Sequence, residues 1–339
     1  MSEIPRGAIR FNTDSNKVEV WNGSVWGEMQ LSTPNLGRGV DTEPGARGLF
    51  LGGEAPANIS GIDALNIATF GSCFEFGDLS SARDYTGSAA SKTLVATAGG
   101  TNSDNTIDKT IFASEGTSTD YGDLSSGRYG LDACSNGTRG VFIGGFIAPS
   151  PNAPVNTMDY ITITEGGTAQ DFGSLRDSKN YMGAVSSNVR GCWAGGTPVG
   201  SPFSPLTGLI DYITIATTGA DQDFGSLVEA NRSGVHGASN ATKGLFAGGY
   251  TPSNTNIIEY IIIATRGNAT DYGDLVTLTA NPGSGAASPT RAVFAGGTPS
   301  HSTNMDAVNI VTNGNAVDFG DLNESRTCCS GASNAHGGL

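Results

Sequence analysis

Apolar and polar positions recur in one fixed order from about Arg47 to the end of the chain. A Gly/Ala-rich stretch comes first, as in GVHGAS (234–239). An apolar run closing on a glycine doublet follows: LFLGG (49–53), VATAGG (95–100), VFIGG (141–145), CWAGG (192–196), LFAGG (245–249) and VFAGG (293–297). An alternating, β-branched stretch is next: IDALNIAT (62–69), IDKTIFAS (107–114), MDYITIT (158–164), IDYITIAT (210–217), IEYIIIAT (258–265) and MDAVNIVT (305–312). Each unit ends on an aromatic, Gly, Asp or Ser, Leu block: FGDL (76–79), YGDL (121–124), FGSL (172–175), FGSL (224–227), YGDL (272–275) and FGDL (319–322). Short runs of these types, bounded by Asn, Gly, Thr and Pro, read as strands joined by tight turns. Successive doublets lie 45 to 53 residues apart. Four strands per unit, repeated six times at that period, predict an all-β, six-bladed β-propeller.

The small first strand suits the crowded position nearest the ring axis. The doublet allows a positive φ or a close backbone approach after the second strand. The first doublet follows TEPGARG, a poor strand, while the chain ends in CCSGASNAHGGL, a good first strand. The C-terminal segment is therefore expected to complete the blade begun at Arg47. Such a seam removes two open sheet edges.

Composition agrees with strands and turns rather than helices. Gly numbers 50 of 339 residues, charged residues are only 15%, and the net charge is −14. The acidic balance argues against nucleic acid, which needs a basic surface to neutralise phosphates. No apolar run reaches the length of a membrane span, and no apolar leader follows Met1, so neither membrane insertion nor secretion is expected. Five cysteines without CxxC spacing (Cys73, Cys134, Cys192, Cys328, Cys329) read as free thiols of a protein made in a reducing cytoplasm.

Each third strand carries one acid: Asp63, Asp108, Asp159, Asp211, Glu259 and Asp306. Such a ring could hold a cation. The simpler expectation is a structural carboxylate that accepts N–H groups of the adjacent doublet turn in every blade. DFG at 171–173, 223–225 and 318–320 matches a kinase metal motif but recurs as a blade feature. His236, His301 and His336 share no zinc-ligand spacing. No catalytic residue, metal ligand or cofactor is therefore assigned, and a non-enzymatic protein is expected.

The order of doublet, acid-bearing strand, aromatic and L-x-x-x-R resembles the kelch repeat over residues 47–339. The basic position is Arg83, Arg128, Lys179, Arg232 and Arg326, and the fifth copy lacks it, with Ala280–Asn281 there. Phe or Tyr stands where kelch repeats use Trp. Residues 1–31, with GAIRFNTDSNKVEVWNGSVWGEM, read as three short strands. They resemble a small module of bacteriophage tail-fibre and other structural proteins. The resemblance implies a β-hairpin attachment or oligomerisation module built on Trp21 and Trp26. Residues 32–46 are a Pro/Gly-rich linker.

Loops after the second and fourth strands should share one face. That face varies in sequence, whereas opposite turns such as SNGTRG, SNVRG and SNATKG are nearly uniform. Variable loops on a uniform scaffold suit recognition. Phe146, Phe203 and Tyr250, with Tyr85, Tyr129 and Tyr181, are the expected exposed aromatics for ligand binding. The resulting expectation is a homo-oligomeric virion protein, made in the host cytoplasm. It would act as a tail fibre or receptor-binding tip, bound to other virion proteins through residues 1–31 and to a host surface glycan or protein through the propeller. Alternatives are a capsid-decorating or capsid fibre protein and a glycan-cleaving propeller enzyme.

Overall fold

A computed structural model describes residues 5, 8–12, 17–28, 47–149, 153–198, 206–229, 231–280, 285–298 and 301–335. The linker at 32–46 and Phe203 lie outside them. The chain divides into two compact units, Met1–Val40 and Asp41–Leu339. In the first unit, strands Ile9–Asn12, Lys17–Trp21 and Trp26–Glu28 form one antiparallel sheet. Trp21 pairs with Trp26 across the second hairpin, with ring centroids 5.5 Å apart. The Arg10 guanidinium lies 4.3 Å from the Trp26 ring centre and pairs with Glu19 at 2.7 Å.

The second unit is the six-bladed β-propeller, with six four-stranded antiparallel sheets. Blades two to six take their strands in sequence order. Their innermost strands are Gly87–Ala90, Asp132–Ser135, Gly183–Ser186, His236–Ser239 and Ala286–Ala287. Blade one is composite. Ser330–Ser333 supplies its inner strand and pairs with Arg47–Leu51, which is followed by Gly61–Asn66 and Phe74–Asp78. Small residues occupy the inner strands because those strands touch one another around the ring. Serines at their ends tie blades together: Ser135 Oγ donates to Ala90 O, Ser239 Oγ to Ser186 O, and Ser333 Oγ to Ala287 O.

The aromatic-Gly-Asp/Ser-Leu block has a packing reason. Phe172 and Leu175 are buried in the core between blades three and four. The glycine of the block meets the next blade. A Cβ on Gly122, whose φ is +146°, would stand 2.1 Å from Gly167 O. That approach allows Gly167 N–H to donate to Tyr121 O, and every neighbouring pair of blades repeats the bond. The glycine doublet makes a second link: Gly100 (φ +132°) donates N–H to Arg128 O in the following loop.

The repeated acid has a different partner from the expected doublet turn. It crosses to the preceding blade and meets the basic residue there. Arg83–Asp108 closes at 2.6 Å, Arg128–Asp159 at 2.9 Å, Lys179–Asp211 at 2.6 Å, Arg232–Glu259 at 3.5 Å and Arg326–Asp63 at 3.0 Å. All ten side chains are buried. The carboxylates also accept N–H groups from the residue after the fourth strand's leucine, such as Ser80 N to Asp108 and Asn323 N to Asp63. The doublet N–H groups are already taken, as in Gly52 to Gly61 O at the start of the third strand and Gly53 to Arg83 O in the loop after the fourth, so the acid has none to accept there. The shorter Lys179 shares Asp211 with Arg176.

Candidate functional site

Bridges Glu54↔Thr327, Tyr129↔Phe146, Asn180↔Thr197, Ser233↔Tyr250 and Ala280↔Thr298 join the start of the loop after the second strand to a loop after a fourth strand in five blades, and in blade two Thr101 N donates to Asp84 O at 3.3 Å. Both loop sets therefore share one face, which we call the loop face. Near the axis, the residue two past each basic position adopts a left-handed backbone. Tyr85, Gly130, Tyr181, Gly234 and Cys328 have φ between 54° and 63°. This turns each N–H toward the previous blade. Tyr85 N donates to Cys328 O, Gly130 N to Tyr85 O, Tyr181 N to Gly130 O, and Gly234 N to Tyr181 O, all at 2.8–2.9 Å. Backbone hydrogen bonds thus run around the axis.

The same geometry gathers four of the six aromatic candidates. Ring centroids of Tyr85 and Tyr181 are 5.3 Å apart, Tyr85 and Tyr129 6.2 Å, and Tyr129 and Phe146 5.3 Å. This corrects the expectation of freely exposed aromatics. Phe146 and Tyr181 are buried because the rings pack on one another, while Tyr85, Tyr129 and Tyr250 are half-buried. Tyr250 stands apart in the loop of blade five. Phe203 lies outside the described residues.

Sequence reasoning missed the acidic group beside the cluster. Ligand atoms of Glu54, Asp84 and Cys328 lie within 4.8 Å of one another. Burial, then the charge of Glu54, raises the Asp84 carboxyl to about 6. Burial raises the Cys328 thiol to about 12, so it is protonated at neutral pH and a poor metal ligand. The Tyr85 hydroxyl is also raised by burial and lies against Cys328. All five cysteines are free thiols, buried except for half-buried Cys73.

Asp84 gives a pH prediction. Its folded pKa, about 6, exceeds the ordinary 3.8, so the folded state holds the proton more tightly. Its contribution to stability is present below the ordinary value and is lost as pH rises through about 6. Asp84→Asn is therefore expected to stabilise the fold at pH 8, on the order of 1 kcal/mol, and to change little at pH 4. Urea unfolding at both pH values tests this. An equal effect at the two would refute it.

No helix among the described residues is long and apolar enough to cross a membrane. No protein family and no curated protein matches the sequence. The kelch resemblance therefore rests on the repeat pattern. Among solved structures, the chain is similar to that described as "Structure of YjhT", with TM-score 0.60 and 11% identity. The match covers 74% of this chain and 87% of that one. It overturns the expectation that the chain lacks catalytic activity, because the shared fold hosts catalysts as readily as binders. At this identity the likeness shows the fold, and the fold is a β-propeller.

Proposed function

We propose that this chain is a host-attachment protein of a virus particle, a tail fibre or receptor-binding tip, with the loop face as its recognition surface. The contrast between the two faces carries the proposal. The opposite face repeats one turn: Asn136, Asn240, Ser187 and Ser288 each accept two backbone N–H groups from residues two and three positions on. The loop face is built differently in each blade. It carries short extra pairs at Glu54–Ala55 with Ala57–Asn58 and at Phe146–Ile147 with Ala153–Pro154. Half-buried Tyr85, Tyr129 and Tyr250 offer rings with polar ends, which suits stacking on sugars.

Residues 1–31, which resemble a phage tail-fibre module, are the proposed joint to other virion proteins and to copies of the same chain. A small sheet is stable only when an apolar face is covered, and association with other chains would cover one here.

The full chain is expected to retain specific bacterial surface glycans on a glycan array. The Tyr129→Ala/Tyr250→Ala variant, folded by its melting profile, is expected to bind at least tenfold more weakly. Antibody to the chain should decorate the tail of the particle. No glycan retained at millimolar concentration, or label over the capsid shell, would count against the reading. Sugar released from a retained glycan would make the loop face the site of a glycan-cleaving enzyme.

A further inference from the structure

Among the described residues, five of the six gaps between blades hold a buried basic side chain, and the gap between blades five and six does not. Backbone geometry identifies the residue at that position as Thr279, one before the Ala280–Asn281 expected from sequence. Gly249 N–H donates to Thr279 O at 2.8 Å, as Gly53 does to Arg83 O and Gly196 to Arg232 O. Asp306 keeps the carboxylate position and accepts Val276 N–H at 2.9 Å and Thr277 N–H at 3.2 Å. It has no cation partner among the described residues.

The gap contains a cavity of about 260 Å³. Asp306, Thr279, Gly296, Asn304 and His236 are among the residues that line it. The acceptors that serve a guanidinium elsewhere remain in place. Arg83 Nη1 donates to Gly99 O and Thr106 O at 3.3 and 3.0 Å, and Arg326 Nη1 to Gly52 O and Gly61 O at 3.1 and 2.8 Å. The matching carbonyls here are Gly296 and Asn304, since Gly296 N–H donates to Asn304 O at 3.1 Å just as Gly52 N–H does to Gly61 O. His236 is 2% exposed, and neither of its ring nitrogens has a partner. Burial lowers its pKa to about 4, so the ring is neutral and offers one acceptor nitrogen. Asn304 is exposed and Thr277 half-buried, which gives the cavity a way out.

We propose that this cavity is a binding site for a guanidinium group supplied from outside the chain. A carboxylate and two convergent carbonyls match the planar fork of a guanidinium, and a buried carboxylate gains most from a paired cation. The volume is below the roughly 300 Å³ at which drug-sized pockets begin, so a small group fits it.

Calorimetric titration of the full chain with methylguanidine tests the site. One saturable event is expected. Affinity should fall at least tenfold in Asp306→Asn. It should vanish in Thr279→Arg, which supplies the guanidinium from within and should melt at a higher temperature. That higher midpoint shows that the variant folds. A second arm uses N-acetyl-arginine amide. If it binds too, the occupant is an arginine side chain of a partner protein; if only methylguanidine binds, it is a small free guanidinium compound. Three results overturn the proposal: no saturable heat with the unaltered chain, unchanged affinity in Thr279→Arg, or equal binding of methylammonium.

Discussion

A chain that stops at Thr327 is expected to lose cooperative unfolding altogether. The truncation removes Ser330–Ser333, the inner strand of blade one. Gly48 to Leu51 then lose their inner-strand partners and keep only the pairing with the third strand, although Leu49, Phe50 and Leu51 are wholly buried. Three ties to neighbouring blades go with them: Ser333 Oγ to Ala287 O, Tyr85 N–H to Cys328 O, and the Ser88–Ser330 hydroxyl pair at 2.7 Å. The ring opens, exposing strand edges and apolar surface. A domain's net stability is only about 5–15 kcal/mol, and losing a whole buried strand is of that size. Thermal scans and size-exclusion chromatography should show a broad transition and aggregates. A synthetic peptide of residues 328–339 should restore a sharp transition, because strand addition to an open edge uses the same backbone bonds. A truncated chain that stays monomeric and melts within a few degrees of the intact one would disprove this role.

The second large effect is expected at Arg128. Arg128 and Asp159 are 0% and 1% exposed, and they pair between blades two and three. Arg128→Met leaves a buried carboxylate whose other donors are Ser125 N–H and Oγ. Removing one partner of a buried pair costs about 3–5 kcal/mol, because the remaining charge is uncompensated. Arg128→Met/Asp159→Asn should recover much of that loss, since no charge then stays behind. Urea midpoints of the two variants decide the matter. A single variant costing under about 1 kcal/mol, or a double variant less stable than the single, would show that the pair does not work this way. Asp306 illustrates the alternative solution. It lacks a cation among the described residues and is 7% exposed, against 0–2% for the five paired acids.

Both halves of these pairs are visible in the sequence, but their joining is not. Arg128 and Asp159 stand 31 residues apart and belong to different blades. Periodicity marks each as a repeated position without saying which copy meets which. The doublet looked like the acid's neighbour because it adjoins the third strand in sequence, yet its first N–H is spent on the carbonyl that opens that strand and its second on the segment that follows the fourth strand. The strand order within a blade and the number of blades were legible, because turn residues and apolar runs are local signals. The aromatic cluster was less so. Tyr85 and Tyr181 turn inward because their backbones are left-handed, a conformation that the residue type does not announce. The cavity beside Asp306 was hidden for a further reason. It arises from a small residue, Thr279, at a position where five other copies hold a long one.

The composite blade also sets an order of events during synthesis. Arg47–Leu51 is made early, but its partner Ser330–Ser333 lies nearly the whole propeller later in the chain. Until that segment leaves the ribosome, blade one waits with an unpaired inner edge, a template for pairing with neighbouring nascent chains. Blades two to six can each pair their own strands as they emerge. The ring therefore closes in one late, long-range step, and yield in the cell should depend on how quickly that step follows the emergence of Ser330–Ser333.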